Sequence, residues 1–285
     1  MDKKMRQSSD NHIIPMTSVS TGRGKEVRPD VYYYTNQIVN IVMIGKPGTE
    51  KWALIDAGMP KSGSAIIEAV EDRFGKGSKP EVILLTHGHF DHIGSIVHLL
   101  EHWPGVPVYA HPLEFPFLTG RQAYPEPDPT VEGGGLLAKI SKLYPYEPIN
   151  IEPVLLQLPP DGIVPGLPEW AWVHTPGHSP GHVSFFRKND KTLIAGDAFV
   201  TVKQDSFYKV LIQKEEVQGP PPYFTTDWPA AKESVQKLAA LEPELVIAGH
   251  GQYMEGQSLK DGLFALATQF DEMAVPKHGK YVDDK

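Results

Sequence analysis

The chain has 285 residues, a formal net charge of −8 and no cysteine. This length suffices for one large or two small domains with a full hydrophobic core. The acidic charge argues against nucleic acid or an anionic membrane as a partner, because both require clustered Lys and Arg side chains. Without cysteine the chain can form no disulfide, and any metal site must use His, Asp or Glu.

The amino-terminal residues lack the pattern of an export signal. Residues 1–10 are basic, but no apolar segment follows them, which argues against a signal peptide. No run of residues approaches the ~18 apolar positions that a membrane span requires. The sequence therefore predicts a cytoplasmic protein, with residues 1–28 as a flexible tail and residues 29–285 as a single domain.

Segments rich in β-branched residues predict strands, and apolar residues at helical spacing predict helices. Strands are predicted at residues 31–35, 38–44, 52–56, 82–85, 106–110, 154–158, 170–174, 183–186, 192–195 and 245–248. Helices are predicted at residues 62–74, 93–100, 136–143, 229–241 and 259–273. Strands followed by helix–strand units in each half predict an α/β protein with two layered sheets and helices outside.

Two stretches rich in Pro and Gly, residues 111–150 and 199–228, interrupt this pattern as inserted loops. Loops of this length are uncommon and often act as lids or binding loops. A solvated insertion without a role is the alternative.

The densest group of candidate ligands lies between predicted strand 82–85 and the following helix. The segment Thr86-His87-Gly88-His89-Phe90-Asp91-His92 contains three histidines and one aspartate. Neutral imidazole and ionised carboxylate are the usual nitrogen and oxygen ligands of a divalent metal, and surface histidines alone rarely cluster in this way. We therefore predict a metal site in this segment.

Three later residues stand in similar surroundings. His178 lies in a Gly/Pro turn after a strand, and Asp197 and His250 each follow a strand and a glycine. Taken singly, a His in a turn is more often a surface residue, and an Asp after Gly is more often a turn former. Their occurrence together with the first cluster favours a shared site at the carboxyl ends of strands.

In this order the motifs resemble those of the metallo-β-lactamase superfamily. The resemblance extends from about residue 31 to 275, and the segment Leu54-Ile55-Asp56-Ala57-Gly58 matches the family's first motif. It implies an αββα sandwich, in which two mixed β-sheets are flanked by helices and a dinuclear site lies at the sheet edges.

The resemblance also implies a division of the ligands. By matching positions, one ion would take His87, His89 and His178, the other would take Asp91, His92 and His250, and Asp197 would bridge the two. Asp56 would orient a ligand imidazole through its N–H group. His182, in the same motif as His178, would either support a ligand in this way or be structural.

Two divalent ions about 3.5–4 Å apart lower the pKa of a shared water towards neutrality and create a bridging hydroxide. This hydroxide would attack a carbonyl or phosphoryl centre, and Asp91 could relay a proton to the leaving group. Zinc is the expected metal, with iron or manganese as alternatives, because His and carboxylate sites accept all three.

Motif details narrow the reaction. His89 stands where flavodiiron relatives usually have glutamate, which favours hydrolysis over a redox reaction. True β-lactamases lack the bridging aspartate, so the presence of Asp197 argues against cleavage of antibiotics. Acyl-homoserine lactonases carry a tyrosine where this chain has Val200, and the glutathione-binding residues of hydroxyacylglutathione hydrolases have no convincing match. The expected substrate is an ester, lactone or thioester.

Aromatic residues near the motifs suggest a pocket for a small molecule with an apolar acyl group. The candidates are Phe90, Phe199, Tyr208, Tyr223 and Phe224. The alternative is that these rings anchor the long loops to the core. The expected partner is this small substrate, with no nucleic acid and no membrane, and apolar edge segments could pair in a homodimer.

Two other functions stay open. The first is an iron-dependent redox or dioxygenase-like activity, since some relatives use iron with similar histidines. The second is a non-catalytic metal-containing binding protein.

Overall fold

A computed structural model describes residues 4–14, 16–132, 135–202 and 215–283. The chain divides into two compact units. The first comprises residues 1–124 and 145–168, and the second comprises residues 125–144 and 169–285.

The first sheet has seven strands in chain order, β1-β2-β3-β4-β5-β6-β7. The strands are β1 (Arg23–Arg28), β2 (Val31–Asn36), β3 (Val39–Ile44), β4 (Ala53–Ile55), β5 (Val82–Leu84), β6 (Val108–Ala110) and β7 (Leu155–Gln157). Neighbours are antiparallel from β1 to β4 and parallel from β4 to β7. The parallel half is where helices connect the strands, as the crossover geometry of such pairs requires.

The helices of the first unit cover an apolar core. They are α1 (Gly63–Phe74), α2 (Phe90–Ile93), α3 (Ile96–His102) and α4 (Phe115–Leu118), with a 3₁₀ turn at Pro112–Glu114. Trp52 stacks on Phe74 with ring centroids 4.4 Å apart and meets Trp103 edge-on at 6.0 Å. These aromatic contacts join α1 and the end of α3 to the sheet.

The second sheet has six strands in the order β15-β14-β11-β10-β9-β8. They are β8 (Ile163–Val164), β9 (Leu167–His174), β10 (Val183–Arg187), β11 (Thr192–Gly196), β14 (Leu245–Ala248) and β15 (Met254–Glu255). A separate hairpin is formed by β12 (Val200–Val202) and β13 (Glu215–Gln218). Within the six-stranded sheet β11 and β14 are parallel, whereas β9, β10 and β11 are antiparallel.

The helices in the described part of the second unit are α5 (Gly135–Ile140), α6 (Trp228–Ala239), α7 (Gly256–Thr268), α8 (Phe270–Met273) and α9 (Lys280–Asp283), with a 3₁₀ turn at Ser141–Leu143. Of these, α6, α7 and α8 contribute buried apolar residues to a core of this unit. Asp227 caps α6 by accepting a hydrogen bond from the Ala230 amide at 3.1 Å. Along the described ranges, no helix is long and apolar enough to cross a membrane.

The α/β class with two mixed sheets and flanking helices is confirmed. Three details differ from the expectation. Arg23–Arg28, within the segment expected to be a flexible tail, forms β1 because its backbone pairs with β2. The predicted helix 93–100 is divided, because α2 ends at Ile93 and α3 begins at Ile96. The loop expected at 199–228 contains β12 and β13.

Candidate metal centre

In the first unit, two adjacent parallel strands end at the same place. Ala53 to Ile55 of β4 pair with Val82 to Leu84 of β5. Asp56 directly follows β4, and Thr86 and His87 closely follow β5. Parallel pairing therefore brings together side chains that lie 30 residues apart.

Asp56 is the centre of a hydrogen-bond network. Its backbone lies in the left-handed region with φ 62°, which Asp tolerates better than most residues. The Asp56 Oδ1 accepts from the Thr86 amide at 2.8 Å, and Oδ2 accepts from Thr86 Oγ1 at 2.7 Å and from His92 Nδ1 at 2.8 Å. These three hydrogen bonds offset the free-energy cost of burying the carboxylate.

These bonds assign the tautomers of two imidazoles. A carboxylate only accepts, so His92 carries its proton on Nδ1. The Thr86 hydroxyl gives its proton to Asp56, so its 3.0 Å contact with His87 Nδ1 has the imidazole as donor. When either ring is neutral, its lone pair is therefore on Nε2, where a metal would bind.

The remaining candidates of the first unit lie around the short helix α2. His89 precedes this helix, and Asp91 and His92 lie within it. The His87 ring lies 4.6 Å from that of His89 and 4.2 Å from that of His92, measured between centroids. All four predicted ligands of this unit are buried and grouped at one end of the sheet.

The second unit repeats the use of parallel strands. β11 and β14 are paired in parallel, and the Gly249 amide donates to the Gly196 carbonyl at 2.8 Å just beyond them. Asp197 follows β11 and His250 follows β14. The His250 Nε2 lies 3.3 Å from Asp197 Oδ2.

The third candidate of this unit, His178, lies in the turn between β9 and β10. Its Nδ1 is 3.2 Å from the Thr225 hydroxyl, which donates its proton to the Pro221 carbonyl. The His178 ring is therefore the donor at Nδ1, and in its neutral form the lone pair is on Nε2. Gly177 has φ 127°, and a Cβ there would lie 2.4 Å from the Ala231 amide nitrogen of α6. Only glycine allows the turn to pack so closely on the helix.

The donor atoms of the second unit fit a divalent ion. The His178 Nε2 lies 3.5 Å from Asp197 Oδ2, on which the His250 Nε2 also converges. Ligand atoms that share one ion at ~2.0–2.1 Å in tetrahedral geometry lie ~3.3 Å apart. Two lone pairs that face each other at this distance would repel, whereas a cation between them makes the arrangement favourable.

His182 has a different role from His178. Its Nε2 accepts from the Asp197 amide at 2.9 Å, and its Nδ1 lies 2.8 Å from the Thr175 hydroxyl. The Thr175 hydroxyl meets Ser184 Oγ at 3.1 Å, and Ser184 donates to the Ala195 carbonyl at 2.9 Å. This chain of hydrogen bonds connects His182 to the strands and holds the backbone at Asp197.

The predicted pocket residues fall in different places. Phe224 lies beside His178, with ring centroids 6.4 Å apart, and Tyr223 contacts Phe224 at 5.4 Å. Phe199 is fully buried in the apolar core of the second unit, as a ring that anchors a loop would be. Phe90 begins α2 and is buried, and Tyr208 lies outside the described residues.

Sequence reasoning missed the residues that support the ligands. Thr86 and Thr225 are ordinary polar residues in sequence, and their contacts with imidazoles depend on the fold. Glu114 and Tyr124, which contact Gly88, were missed for the same reason. Only the position of Thr86 directly before His87 could have indicated its contact with that ring.

The side chains identified from sequence are grouped as metal ligands would be. The buried candidate ligands are His87, His89, Asp91 and His92 in the first unit, and His178, Asp197 and His250 in the second. The chain matches the family model of the metallo-beta-lactamase superfamily over residues 34–250. The protein therefore belongs to this superfamily, and the predicted resemblance is confirmed.

Relatives agree with this assignment. A probable metallo-hydrolase, YflN of Bacillus subtilis, is 47% identical over 261 residues, which cover 91% of this chain and 98% of that protein. The hydroxyacylglutathione hydrolase GloC of Haemophilus influenzae is 30% identical over 175 residues, 61% of this chain and 69% of that protein. The family and the His/Asp groups support a metal-dependent hydrolase.

A solved structure shows the same fold. MEM-A1, a subclass B3 metallo-beta-lactamase isolated from a soil metagenome library, matches with a TM-score of 0.60 and 19% sequence identity. The match covers 88% of this chain and 94% of MEM-A1. At this level of identity the likeness concerns the fold alone.

Proposed function

We propose that the protein is a dinuclear metal-dependent hydrolase that cleaves an ester, lactone or thioester of a small substrate with an apolar acyl group. The proposal divides the ligands into His87, His89 and His178 for one ion, Asp91, His92 and His250 for the other, and Asp197 as the bridge. One observation carries it. In three of the proposed ligands, His87, His92 and His178, the hydrogen bond at Nδ1 leaves the lone pair of the neutral ring on Nε2, from which an imidazole can bind a metal.

When bound, two divalent ions supply Lewis acidity and a water whose pKa is lowered towards neutrality. The chain's own residues prepare the site. The Asp56 carboxylate holds the proton on His92 Nδ1, and through Thr86 it also orients His87. A carboxylate oxygen of Asp91 is suited to carry a proton to the leaving group, because this side chain is buried beside the candidate ligands on α2.

The aromatic residues of the second unit support an apolar acyl group. Tyr144, Tyr223 and Phe224 form a cluster with ring centroids 5.4 to 5.9 Å apart, and Phe224 borders His178. Such rings favour an apolar group through burial of its surface. The relative named as a hydroxyacylglutathione hydrolase supports including thioesters among the candidates.

Zinc is the proposed metal, because it commonly takes His and carboxylate ligands in catalytic sites. Elemental analysis of the purified protein should find about two ions per chain. If iron is found instead, oxygen-consumption assays decide between hydrolysis and a redox reaction.

The proposal is tested by substitution and by removal of the metal. Loss of several kcal/mol of transition-state stabilisation in His87→Ala or Asp197→Ala corresponds to a fall in kcat/KM on the order of a thousandfold. His98→Ala, which changes an exposed histidine on α3, is the matched control and should keep the parental rate. Circular dichroism checks that each variant is folded.

Substrate class is tested with panels of esters, lactones and thioesters of increasing acyl length. We expect kcat/KM to rise with acyl length up to the size of the pocket. Full turnover after complete chelation would refute the metal-dependent reaction, and indifference to acyl length would refute the apolar subsite.

A further inference from the structure

A buried acid and a buried tyrosine lie next to the metal motif in the first unit. Glu114 ends the 3₁₀ turn after β6, and its side chain is fully buried. The Tyr124 hydroxyl is also buried and donates a hydrogen bond to Glu114 Oε2.

Both side chains meet the backbone between two candidate ligands. The Gly88 amide lies 3.0 Å from Glu114 Oε2 and 3.0 Å from the Tyr124 hydroxyl oxygen. A Cβ at position 88 would lie 2.5 Å from the Tyr124 hydroxyl and 3.4 Å from Glu114 Oε2. Tyr124, together with Leu118 Cδ2 at 3.1 Å from the same Cβ, therefore also explains why glycine stands between His87 and His89.

Tyr124 contacts the motif a second time through its ring. This ring stacks on Phe117, with centroids 3.8 Å apart and an interplanar angle of 19°. It also meets the His89 ring at 4.6 Å and 61°. The Tyr124 ring thus packs against α4 on one side and against the His89 ring on the other.

Burial of a carboxylate is costly unless hydrogen bonds compensate it. Here the compensating bonds come from Tyr124 and Gly88, so the position of Glu114 and that of the motif backbone depend on each other. An apolar residue could fill the same volume without this cost. A polar pair is explained here if its hydrogen bonds to the Gly88 backbone are needed to position the motif.

We propose that Glu114 and Tyr124 are positioning residues, which fix the Gly88 amide and so hold the His87 and His89 imidazoles in the geometry that binds metal. The inference rests on the proposed function only in taking His87 and His89 as ligands. Neither residue touches the reacting atoms in this role. Their effect is on the placement of donor atoms, in the way that outer partners commonly tune a metal site.

The test compares three variants by Zn²⁺ affinity, measured by competition with a chelator. Glu114→Leu removes the acceptor and should weaken Zn²⁺ binding by about 10–100-fold. Glu114→Gln keeps an oxygen that can accept from both Gly88 and Tyr124, and should restore affinity close to that of the parent. Glu101→Gln, which removes one carboxylate from the exposed face of α3, is the matched control and should have no effect.

A second readout separates positioning from general loss of stability. With Co²⁺ in place of Zn²⁺, the visible absorption of Glu114→Leu should change, because the ligand geometry changes, whereas Glu114→Gln should keep the parental spectrum. If Glu114→Leu does not fold, Tyr124→Phe decides the question. It keeps both ring contacts and removes only the hydroxyl, and should also weaken Zn²⁺ binding.

Parental Zn²⁺ affinity and spectrum in folded Glu114→Leu, or in Tyr124→Phe if that variant has to be used, would overturn the proposal. Equal weakening in Glu114→Gln and Glu114→Leu would also overturn it, because hydrogen bonding would then not be the cause. If the parent protein binds Zn²⁺ but hydrolyses no substrate, only the proposed function is refuted. The ratio of the Zn²⁺ affinities of variant and parent still tests the positioning role. A parent that binds no Zn²⁺ removes both.

Discussion

Replacing Asp56 by Asn should weaken metal binding without straining the backbone. Position 56 has φ 62°, a conformation that Asn adopts as readily as Asp. The new side chain keeps one acceptor oxygen but brings two N–H donors. If the oxygen accepts from the Thr86 amide, the NH₂ group faces the Thr86 hydroxyl and His92 Nδ1, which both act as donors in the parent.

His92 can then pair with the new amide only by moving its proton from Nδ1 to Nε2. The Thr86 hydroxyl loses its acceptor and turns towards His87 Nδ1, which forces the same change on that ring. A protonated Nε2 has no lone pair for a metal. Loss of such an outer partner typically costs 10–100-fold in metal affinity, which is about 1.4–2.8 kcal/mol. Mispaired buried groups should cost the fold a further ~1–3 kcal/mol.

Chelator competition gives the metal affinity of Asp56→Asn, and ¹⁵N NMR of the histidine rings reports the tautomers in the metal-free protein. Asp72→Asn is the control, because Asp72 is an exposed residue on α1 and the change removes the same charge. It should leave both measurements unchanged. If Asp56→Asn keeps parental affinity and still shows protonated Nδ1 in His92, the tautomer reasoning is refuted.

Three further changes test other parts of the fold. Asp227→Ala removes the N-cap of α6 and should cost ~1 kcal/mol in urea unfolding; an unchanged midpoint would contradict the capping role. Gly177→Ala should lower the melting temperature, since its Cβ would meet Ala231; an unchanged melting temperature would show that the turn relaxes. Burial opposes ionisation of Asp190, but hydrogen bonds and charge from Arg187 outweigh it and lower the Asp190 pKa. The ionised pair therefore stabilises the parent protein above pH ~3.8. This stabilisation should disappear as the pH falls through the lowered pKa, and it should be absent in Asp190→Asn. If the stability of the two proteins depends on pH in the same way, the prediction is contradicted.

The sequence was informative where a short segment determines the outcome. The segment from His87 to His92 is a local pattern, and it lies between a strand and a helix as predicted. Strands of the parallel half could be predicted because they are short, apolar runs buried on both faces.

The remaining features depend on contacts between distant residues. The strand Arg23–Arg28 is largely exposed and shows no apolar alternation, so only pairing with its neighbour reveals it. The predicted helix 93–100 is interrupted at Ser95, whose hydroxyl accepts from the Ser62 amide and donates to the Met59 carbonyl. The contact of Glu114 with Gly88 spans 26 residues and has no local signature.

The parallel pair β11 and β14 has a consequence for how this protein can diversify. The chain departs after Asp197 and returns at Leu245, and the parallel register of the two strands brings His250 beside Asp197. Thr201 adds to this placement, since its amide and its hydroxyl both donate to the His250 carbonyl at 3.1 Å. The residues between Thr201 and Pro221 can therefore lengthen, shorten or be exchanged between relatives while these two side chains stay together, whereas Thr225 further on is needed beside His178. Substrate specificity can change in that stretch with little effect on the metal ligands, because the substrate-binding residues and the ligands are encoded in separate parts of the chain.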